Sequence, residues 1–285
     1  MTTDNRPVNQ ADTGDTKQIN QTDSPAGDTK QINQTDTPAG DLPERSKIPL
    51  YTYRFRYARR EPAIWLAHLD MMRTFERSIR RAGWPVAWSL GYNPRPQMTF
   101  ALPISVGLAT EDDYFDVLLK ENLKPSFLLK TLNSSLPRGF EVTAAGRLLT
   151  AGASLMSLVT AAEYALVHPS LQLAWEKMAA LPADQPLMVA KKSKKKMRQV
   201  DVRPLIIKAE WMNETGLLLK TLAGSQTNLR PDLFLQALTR YGALDPLDAA
   251  STVVIRKKLW IKTENGKDLI SPIETAQDVV FLNDL

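Results

Sequence analysis

The first half of the chain begins with a two-residue alternation of apolar and polar side chains. Within residues 48–59 the aromatic side chains of Tyr51, Tyr53, Phe55 and Tyr57 share one face, and other residues separate them. This period and the aromatic enrichment predict a β-strand. The next segment, 67–83, changes to helical spacing and predicts a helix with a buried apolar stripe. The stripe consists of Leu69, Met72, Phe75, Ile79 and Ala82.

The remaining patterns of residues 47–150 complete a familiar order of elements. They predict strands at 84–90, 97–104, 113–120 and 140–148, and a helix at 126–136. The segment between the first two of these strands contains Gly91, Asn93, Pro94 and Pro96, which is typical of a turn. With the material at 84–104 taken as a hairpin or an extended edge strand, the order is strand–helix–strand–strand–helix–strand, which predicts a ferredoxin-like unit.

Residues 151–263 repeat this order more loosely, with a basic loop between two of the strands. The patterns predict strands at 160–169, 186–193, 203–211, 216–224 and 252–262, and helices at 170–181 and 230–242. The predicted fold class is therefore α+β, with two tandem ferredoxin-like (βαββαβ) units and antiparallel sheets. The weakly patterned residues 264–285 are expected to form a C-terminal extension.

The N-terminal 46 residues contain a short repeat. The segment GDTKQINQTDSPA at 14–26 recurs with a single change at 27–39. Ile19 and Ile32 are its only large apolar side chains. Such a composition buries too little apolar surface to offset the entropy of ordering. We therefore expect residues 1–46 to form a disordered tail.

Charge is distributed unevenly along the chain. Residues 1–44 hold three basic and eight acidic residues, a net charge of −5. The whole chain has 36 basic and 31 acidic residues, so the remainder holds 33 and 23, a net charge of +10. A cationic surface attracts polyanions, of which nucleic acid is the commonest. Solubility alone is the alternative explanation.

Composition excludes several kinds of site. The sequence has no cysteine and two histidines, His68 and His168, which excludes iron–sulfur clusters, thiolate zinc sites and disulfides. No apolar run approaches the ~18 residues of a membrane span, and the polar N-terminus does not resemble a secretory signal. No glycine-rich phosphate loop is present. We therefore expect a cytoplasmic protein that does not associate with membranes.

Two candidate catalytic residues stand at the start of the first predicted helix. His68 and Asp70 could act as a general acid or base, or contact a phosphate at the helix N-terminus. The alternative is a structural role, in which Asp70 favours the helix dipole and His68 hydrogen-bonds a neighbouring loop. We predict no metal-ligand set.

Candidate residues for binding RNA or a partner protein are basic or lie in the turn at 91–96. The first helix carries four arginines on its exposed side, and the run at 191–198 has six basic residues in eight with no acid. Two further arginines each precede a proline. Such side chains bind backbone phosphates, whereas the alternatives are a solvated helix face, turn architecture and solubility. The candidates are Arg73, Arg77, Arg80, Arg81, Tyr92, Asn93, Arg95, Lys191, Lys192, Lys194, Lys195, Lys196, Arg198, Arg203 and Arg230.

Five motifs resemble those of one bacterial family. They are AHLDMMRTFERSIRRAG (67–83), GYNPRPQMTFALPISVG (91–107), SLMSLVTAAEY (154–164), VDVRPLI (200–206) and TNLRPDLFL (227–235). Over residues 50–260 the chain is similar to the radical-SAM-linked family of uncharacterised bacterial proteins, which are fused to or encoded beside cobalamin-binding radical-SAM proteins. The resemblance implies a radical-SAM partner that holds the iron–sulfur cluster, S-adenosylmethionine and cobalamin. This chain is expected to hold no cofactor.

The chain departs from the family pattern at two positions. Ala67 replaces a serine before His68, and Arg95 replaces a histidine in the turn. A guanidinium does not release its proton near neutral pH, so Arg95 cannot serve as an acid or base. It can still bind a phosphate.

Three functions remain open from the sequence. The first is a non-catalytic accessory protein that binds or presents an RNA substrate, such as tRNA or rRNA, to the radical-SAM partner through a basic surface. The second is a metal-independent RNA-processing or RNA-modifying enzyme that uses His68. The third is a protein-only adaptor whose basic loop meets an acidic face of the partner.

Overall fold

The computed structural model describes residues 49–90, 92–149, 152–193, 196–224, 227–263 and 265–285. The predicted tail at 1–46 and the predicted boundary at 150 and 151 lie outside these residues. Within them the chain forms strands and helices in alternation. The strands are β1 (Tyr51–Arg59), β2 (Met98–Phe100), β3 (Ala109–Leu119), β4 (Phe140–Leu148), β5 (Val159–Val167), β6 (Met188–Ser193), β7 (Lys196–Asp201), β8 (Ile206–Asn213), β9 (Gly216–Leu222), β10 (Val253–Lys262), β11 (Leu269–Ile270) and β12 (Gln277–Phe281). The helices are α1 (His68–Arg81), α2 (Pro125–Asn133), α3 (Leu155–Leu158), α4 (Leu171–Ala179), α5 (Pro231–Tyr241) and α6 (Pro246–Ser251).

The architecture is mixed α+β around one large, mostly antiparallel sheet. Ten strands join in the order β12-β4-β1-β3-β10-β5-β9-β8, with β2 pairing with β3 and β11 pairing with β10. The hairpin β6–β7 forms a separate two-stranded sheet. The predicted α+β class is confirmed at this level. Sequence analysis treated the two halves as separate units, whereas the structure places strands from both in one sheet.

The core of the first half is aromatic. The alternation predicted for β1 places Phe55 and Tyr57 fully inside, against Phe75 of α1 and Phe115 of β3. The rings of Phe55 and Phe115 stack with 4.9 Å between centroids. Each fully buried side chain of this size stabilises the fold by roughly 1.5–3 kcal/mol. The aromatic face of β1 and the helix α1 therefore hold each other in place.

The apolar stripe of α1 differs from the predicted one at its first position. Leu69 is 64% exposed, while Met71, Phe75 and Ile79 are fully buried. The buried residues follow the spacing i, i+4, i+8, which places them on one helix face. Leu69 lies two residues before Met71 and so points about 200° away from it around the helix. Sequence spacing alone allowed either stripe, and packing against β1 selected the second.

A second core lies under α4 and α5. Leu171 and Met178 of α4 and Phe234 and Leu238 of α5 are buried in a cluster that includes Leu219 of β9. Pro231 occupies the first turn of α5, where its missing N–H needs no partner. The buried faces of these two helices thus pack in one core with the sheet of the second half, whereas Leu173 of α4 is exposed.

Two regions contain different strands from those predicted. Residues 84–90 make isolated bridges at Val86 and Trp88 in place of a strand, and the strand predicted at 97–104 shortens to β2. Prolines at 85, 96 and 103 cannot donate to a strand ladder, which explains the short pairing. In the second half β7 covers most of the segment that was expected to be a loop.

The C-terminal segment completes the sheet. β12 pairs with β4, and a 3₁₀ turn at Pro272–Thr275 precedes it. The buried guanidinium of Arg54 donates to the Pro272 carbonyl (3.2 Å) and the Thr275 hydroxyl (2.8 Å), and it also pairs with Asp116. Strand pairing and side-chain hydrogen bonds thus attach this segment to the sheet, and Ile273 is buried in the core of the second half.

The two halves meet where β3 and β10 run parallel. Ala109 pairs with Ile255 and Thr110 with Arg256. The Arg256 guanidinium forms an ion pair with Asp113 of β3, and both side chains are almost completely buried. It also donates to the carbonyl of Leu102 at 3.2 Å. A charge-paired contact therefore fixes the junction.

We predict that Asp113→Asn strongly destabilises the protein. Removing one partner of a buried ion pair leaves the other charge desolvated, at a cost of about 3–5 kcal/mol. The neighbouring pair of Glu111 and Lys257 is partly exposed, so Glu111→Gln should cost less than ~1 kcal/mol. Urea unfolding of the full chain and both variants measures the difference. Equal losses in the two variants would show that the junction pair has no special role.

Asp112, next to Asp113 in β3, differs from it because one of its carboxylate oxygens has no partner among the described residues. Its Oδ1 is buried and has no hydrogen-bond partner among the described residues. Burial raises the pKa of its carboxyl above the ordinary value of 3.8, although Tyr114, Arg56 and Lys258 counteract this effect. The ionised carboxylate is therefore less favourable in the folded than in the unfolded chain.

We predict that Asp112→Asn stabilises the protein at neutral pH. A carboxyl with a raised folded-state pKa opposes folding once it ionises, and this penalty disappears as pH falls below its unfolded value. The gain should therefore be present at pH 7, decrease as pH falls and vanish below about pH 4. Urea unfolding at several pH values checks this profile. A loss of stability at pH 7 would contradict it.

Candidate nucleic-acid interface

The basic run at 191–198 forms the two strands of the hairpin β6–β7. Lys191 pairs with Arg198, and Lys192 pairs with Met197. Lys196 opens the second strand opposite Ser193. Lys194 and Lys195 lie outside the described residues. The structure thus turns a run of basic residues into cations on two adjacent strands.

The described cations of this hairpin form no ion pair with the acids that the structure describes. Lys192, Lys196 and Arg198 are exposed and Lys191 is half-buried. Across the part of the chain that the structure describes, none of the ion pairs involves any of the four. Like charges on paired strands repel one another, and a bound polyanion relieves that repulsion.

The base of the hairpin is firmly attached. Asp201 Oδ1 accepts hydrogen bonds from the backbone N–H groups of Leu187 (2.8 Å) and Arg203 (3.0 Å). From α5, Arg240 donates to the Met188 carbonyl at 2.9 Å. The Arg203 guanidinium donates to the Gln185 carbonyl at 2.6 Å, so Arg203 supports the base. The cations therefore project from a fixed platform.

A second cationic group lies beside Trp88, just before the turn at 91–96. The Arg80 guanidinium lies 4.7 Å from the centre of the Trp88 ring. A cleft of about 840 Å³ there also receives Lys120 and Leu90. Sequence analysis found Arg80 but missed Trp88 and Lys120, which become neighbours only through the fold. Cations over an exposed aromatic ring suit stacking and phosphate contacts.

Three candidate side chains of the predicted turn are exposed beside this cleft. Tyr92 is fully exposed, and Asn93 and Arg95 are exposed as well. The Arg95 backbone N–H donates to Ser89 Oγ at 2.9 Å, and Ser89 donates back to the Arg95 carbonyl at 2.8 Å. The backbone is thus fixed while the side chains point into solvent.

The other arginines of α1 are exposed but differ in their contacts. Arg73 pairs with Asp70 at 3.1 Å, and Arg81 donates to the Ser135 carbonyl at 2.7 Å. Arg77 has no hydrogen bond or ion pair within the described ranges. The buried face of α1 packs in the core of the first half, whereas β6 packs in the core of the second half. The arginines of α1 and the cations of the hairpin are therefore two separate groups. Arg230, at the start of α5, pairs with Asp232 at 2.7 Å.

His68 is half-buried at the start of α1. Its Nδ1 is buried without a partner in the described part of the chain, and its ring packs edge-to-face on Phe100. Burial lowers the pKa of His68, an effect that the nearby Asp113 opposes and Arg256 and Arg59 reinforce. Asp70 is exposed and bonded to Arg73, and no described hydrogen bond joins it to His68. The two candidate catalytic residues therefore form no pair.

No group of three or more His, Asp or Glu side chains is arranged to hold a metal ion within the described ranges. None of the helices described is both long enough and apolar enough to cross a bilayer.

Comparison with known sequences gives one match. The sequence model of a family described as uncharacterised proteins conserved in bacteria, DUF2344, matches residues 52–231. The matched region runs from β1 to the start of α5 and includes α1, the turn at 91–96 and the basic hairpin. A comparison with curated proteins gives no match.

Proposed function

This chain belongs to the bacterial family DUF2344, and we propose that it is a non-catalytic accessory protein that binds RNA for a radical-SAM enzyme. The proposal assigns RNA binding to the basic hairpin and catalysis to the partner. Structured RNA, such as tRNA or rRNA, is the proposed ligand. The observation that carries it is the set of hairpin cations that form no ion pair with any described acid.

The electrostatics of the hairpin favour a polyanion over a small anion. The four described cations are distributed along two paired strands, so they offer several phosphate contacts at once. Each contact releases condensed counterions and adds affinity without reading sequence. The fixed base keeps the cations in position and reduces the entropy lost on binding.

The partner proposal rests on the motif resemblance and on composition. The motifs at 67–83 and 91–107 resemble those of proteins linked to radical-SAM enzymes. The chain has no cysteine with which to hold an iron–sulfur cluster. Under this proposal the partner holds the cluster, S-adenosylmethionine and cobalamin, and this chain brings the substrate.

We also infer that each half has the ferredoxin-like arrangement. The strand order β4-β1-β3-β2 in the first half and β10-β5-β9-β8 in the second supports this inference. In both cases the fourth strand lies beside the first and the third lies between the first and the second. The hairpin β6–β7 is then an insertion in the second unit. RNA-binding domains often use this fold, which is support by analogy only.

RNA binding should depend steeply on salt and on the hairpin. Four phosphate contacts predict about a 100-fold loss of affinity between 50 and 200 mM salt, because each contributes a slope of roughly 0.9. Reversing Lys191, Lys192, Lys196 and Arg198 to Glu should abolish this dependence and most of the binding. Titration of the full chain with purified tRNA or rRNA measures both effects.

A matched control separates the hairpin from total charge. Lys124, Lys177, Lys262 and Lys267 are exposed elsewhere on the surface, and their reversal to Glu changes the net charge by the same amount. This variant should retain most of the affinity. An equal loss in both variants, or no RNA binding by the native chain, would overturn the proposal.

Two alternatives have distinct outcomes in the same experiments. RNA cleavage or modification by the native chain that is lost in His68→Ala would favour an enzyme, whose base would be the half-buried imidazole. Binding of a radical-SAM protein without any RNA would favour an adaptor. The exposed pairing of Asp70 with Arg73 leaves His68 without a carboxylate to orient it, so the accessory role is preferred.

A further inference from the structure

A cleft of about 730 Å³ lies where the two halves meet. One wall consists of Ile64, Trp65 and the segment 105–108 from the first half. The other consists of the start of α5 and the end of α6 with the first residues of β10. Its size falls in the range of roughly 300–1,000 Å³ typical of ligand sites, which often lie between domains.

Buried Arg59 holds the first wall in shape. Its guanidinium donates to the carbonyls of Ser105 (2.7 Å), Leu108 (2.9 Å) and Ile64 (3.2 Å), all of which line the cleft. The Gly107 N–H donates to the Ile64 carbonyl at 2.8 Å. Two separate loops are thus tied together, so the wall is preorganised before any ligand arrives.

Trp65 lies exposed on this rigid wall. Its side chain is 64% exposed, which is unusual for an indole, and Val106 and Val253 of the same cleft are 54% and 56% exposed. The indole lies 3.6 Å from where a Cβ of Gly107 would stand, and the φ of +81° at Gly107 favours glycine. An exposed aromatic ring in an apolar cleft marks a binding surface.

Charge lies at the rim of the cleft. Arg230 and Asp232 form a two-bond ion pair there and are each about half exposed. The exposed side chain of Glu61 also lines the cleft. An exposed pair of this kind is weak, so Arg230 can exchange the carboxylate for a phosphate. The cleft therefore combines a flat aromatic wall, an apolar interior and an exchangeable cation.

We propose that this cleft binds one unpaired nucleobase of the RNA, stacked on Trp65, with its phosphate beside Arg230. The inference rests on the proposed RNA-binding function and extends it from the phosphate backbone to a base. Stacking on an aromatic ring accepts any base because each has a flat π-face. The hairpin cations would hold the RNA backbone, and the cleft would hold a nucleotide that leaves the helix.

The test compares two substitutions of Trp65. Trp65→Phe keeps an aromatic face, whereas Trp65→Leu keeps apolar bulk without one. The probes are AMP and a short single-stranded RNA that contains 2-aminopurine, whose fluorescence falls on stacking. We expect Trp65→Leu to weaken binding of both probes about 5- to 150-fold and Trp65→Phe to retain most of it. Leu173→Ala, at an exposed position on α4 outside the cleft, should bind as the native chain does.

The outcomes separate this inference from the RNA-binding proposal. Unchanged binding of both probes in Trp65→Leu would overturn the base site, even if structured RNA still binds through the hairpin. Failure of AMP to bind the native chain would overturn it as well. Binding of an apolar peptide in the cleft, retained in Trp65→Leu, would show a protein ligand and overturn it. If the hairpin variant binds RNA normally while the base site responds as expected, only the hairpin proposal fails.

Discussion

The buried ion pair between Asp113 and Arg256 holds the two halves of this protein as one sheet. Asp113 lies on β3 and Arg256 on β10, and each side chain is almost wholly removed from solvent. Burying either charge without a partner would cost free energy, so Asp113 from the first half and Arg256 from the second half neutralise each other. The parallel pairing of β3 with β10 covers two residue pairs, so side-chain contacts such as this one reinforce a short strand junction.

One of the two candidate sites lies at that junction. Arg59 fixes the backbone carbonyls of the cleft wall that carries Trp65, and the second half supplies the opposite wall. The hairpin β6–β7 is attached elsewhere, through Asp201 and Arg240 in the second half. A backbone-binding hairpin and a base-binding cleft would together let one RNA contact two parts of the molecule.

Local patterns predicted the local elements. The alternation of β1 and the helical spacing of α5 appear in the structure within three residues of the predicted bounds, because burial of one face imposes those periods. The predicted apolar stripe of α1 was wrong at Leu69, because which face of the helix is buried depends on residues far along the chain. The sequence did not predict β12, the β3–β10 junction or the cleft for the same reason, because each joins segments more than 100 residues apart.

Native-state hydrogen exchange of the full chain tests most directly whether the junction pair unites the halves. In the native protein, the slowest amides of β1 and β4 and those of β5 and β9 should exchange through one shared opening with the same free energy and urea dependence. In Asp113→Asn the two groups should separate. Separate openings in the native protein, or a shared opening that persists in the variant, would contradict the account.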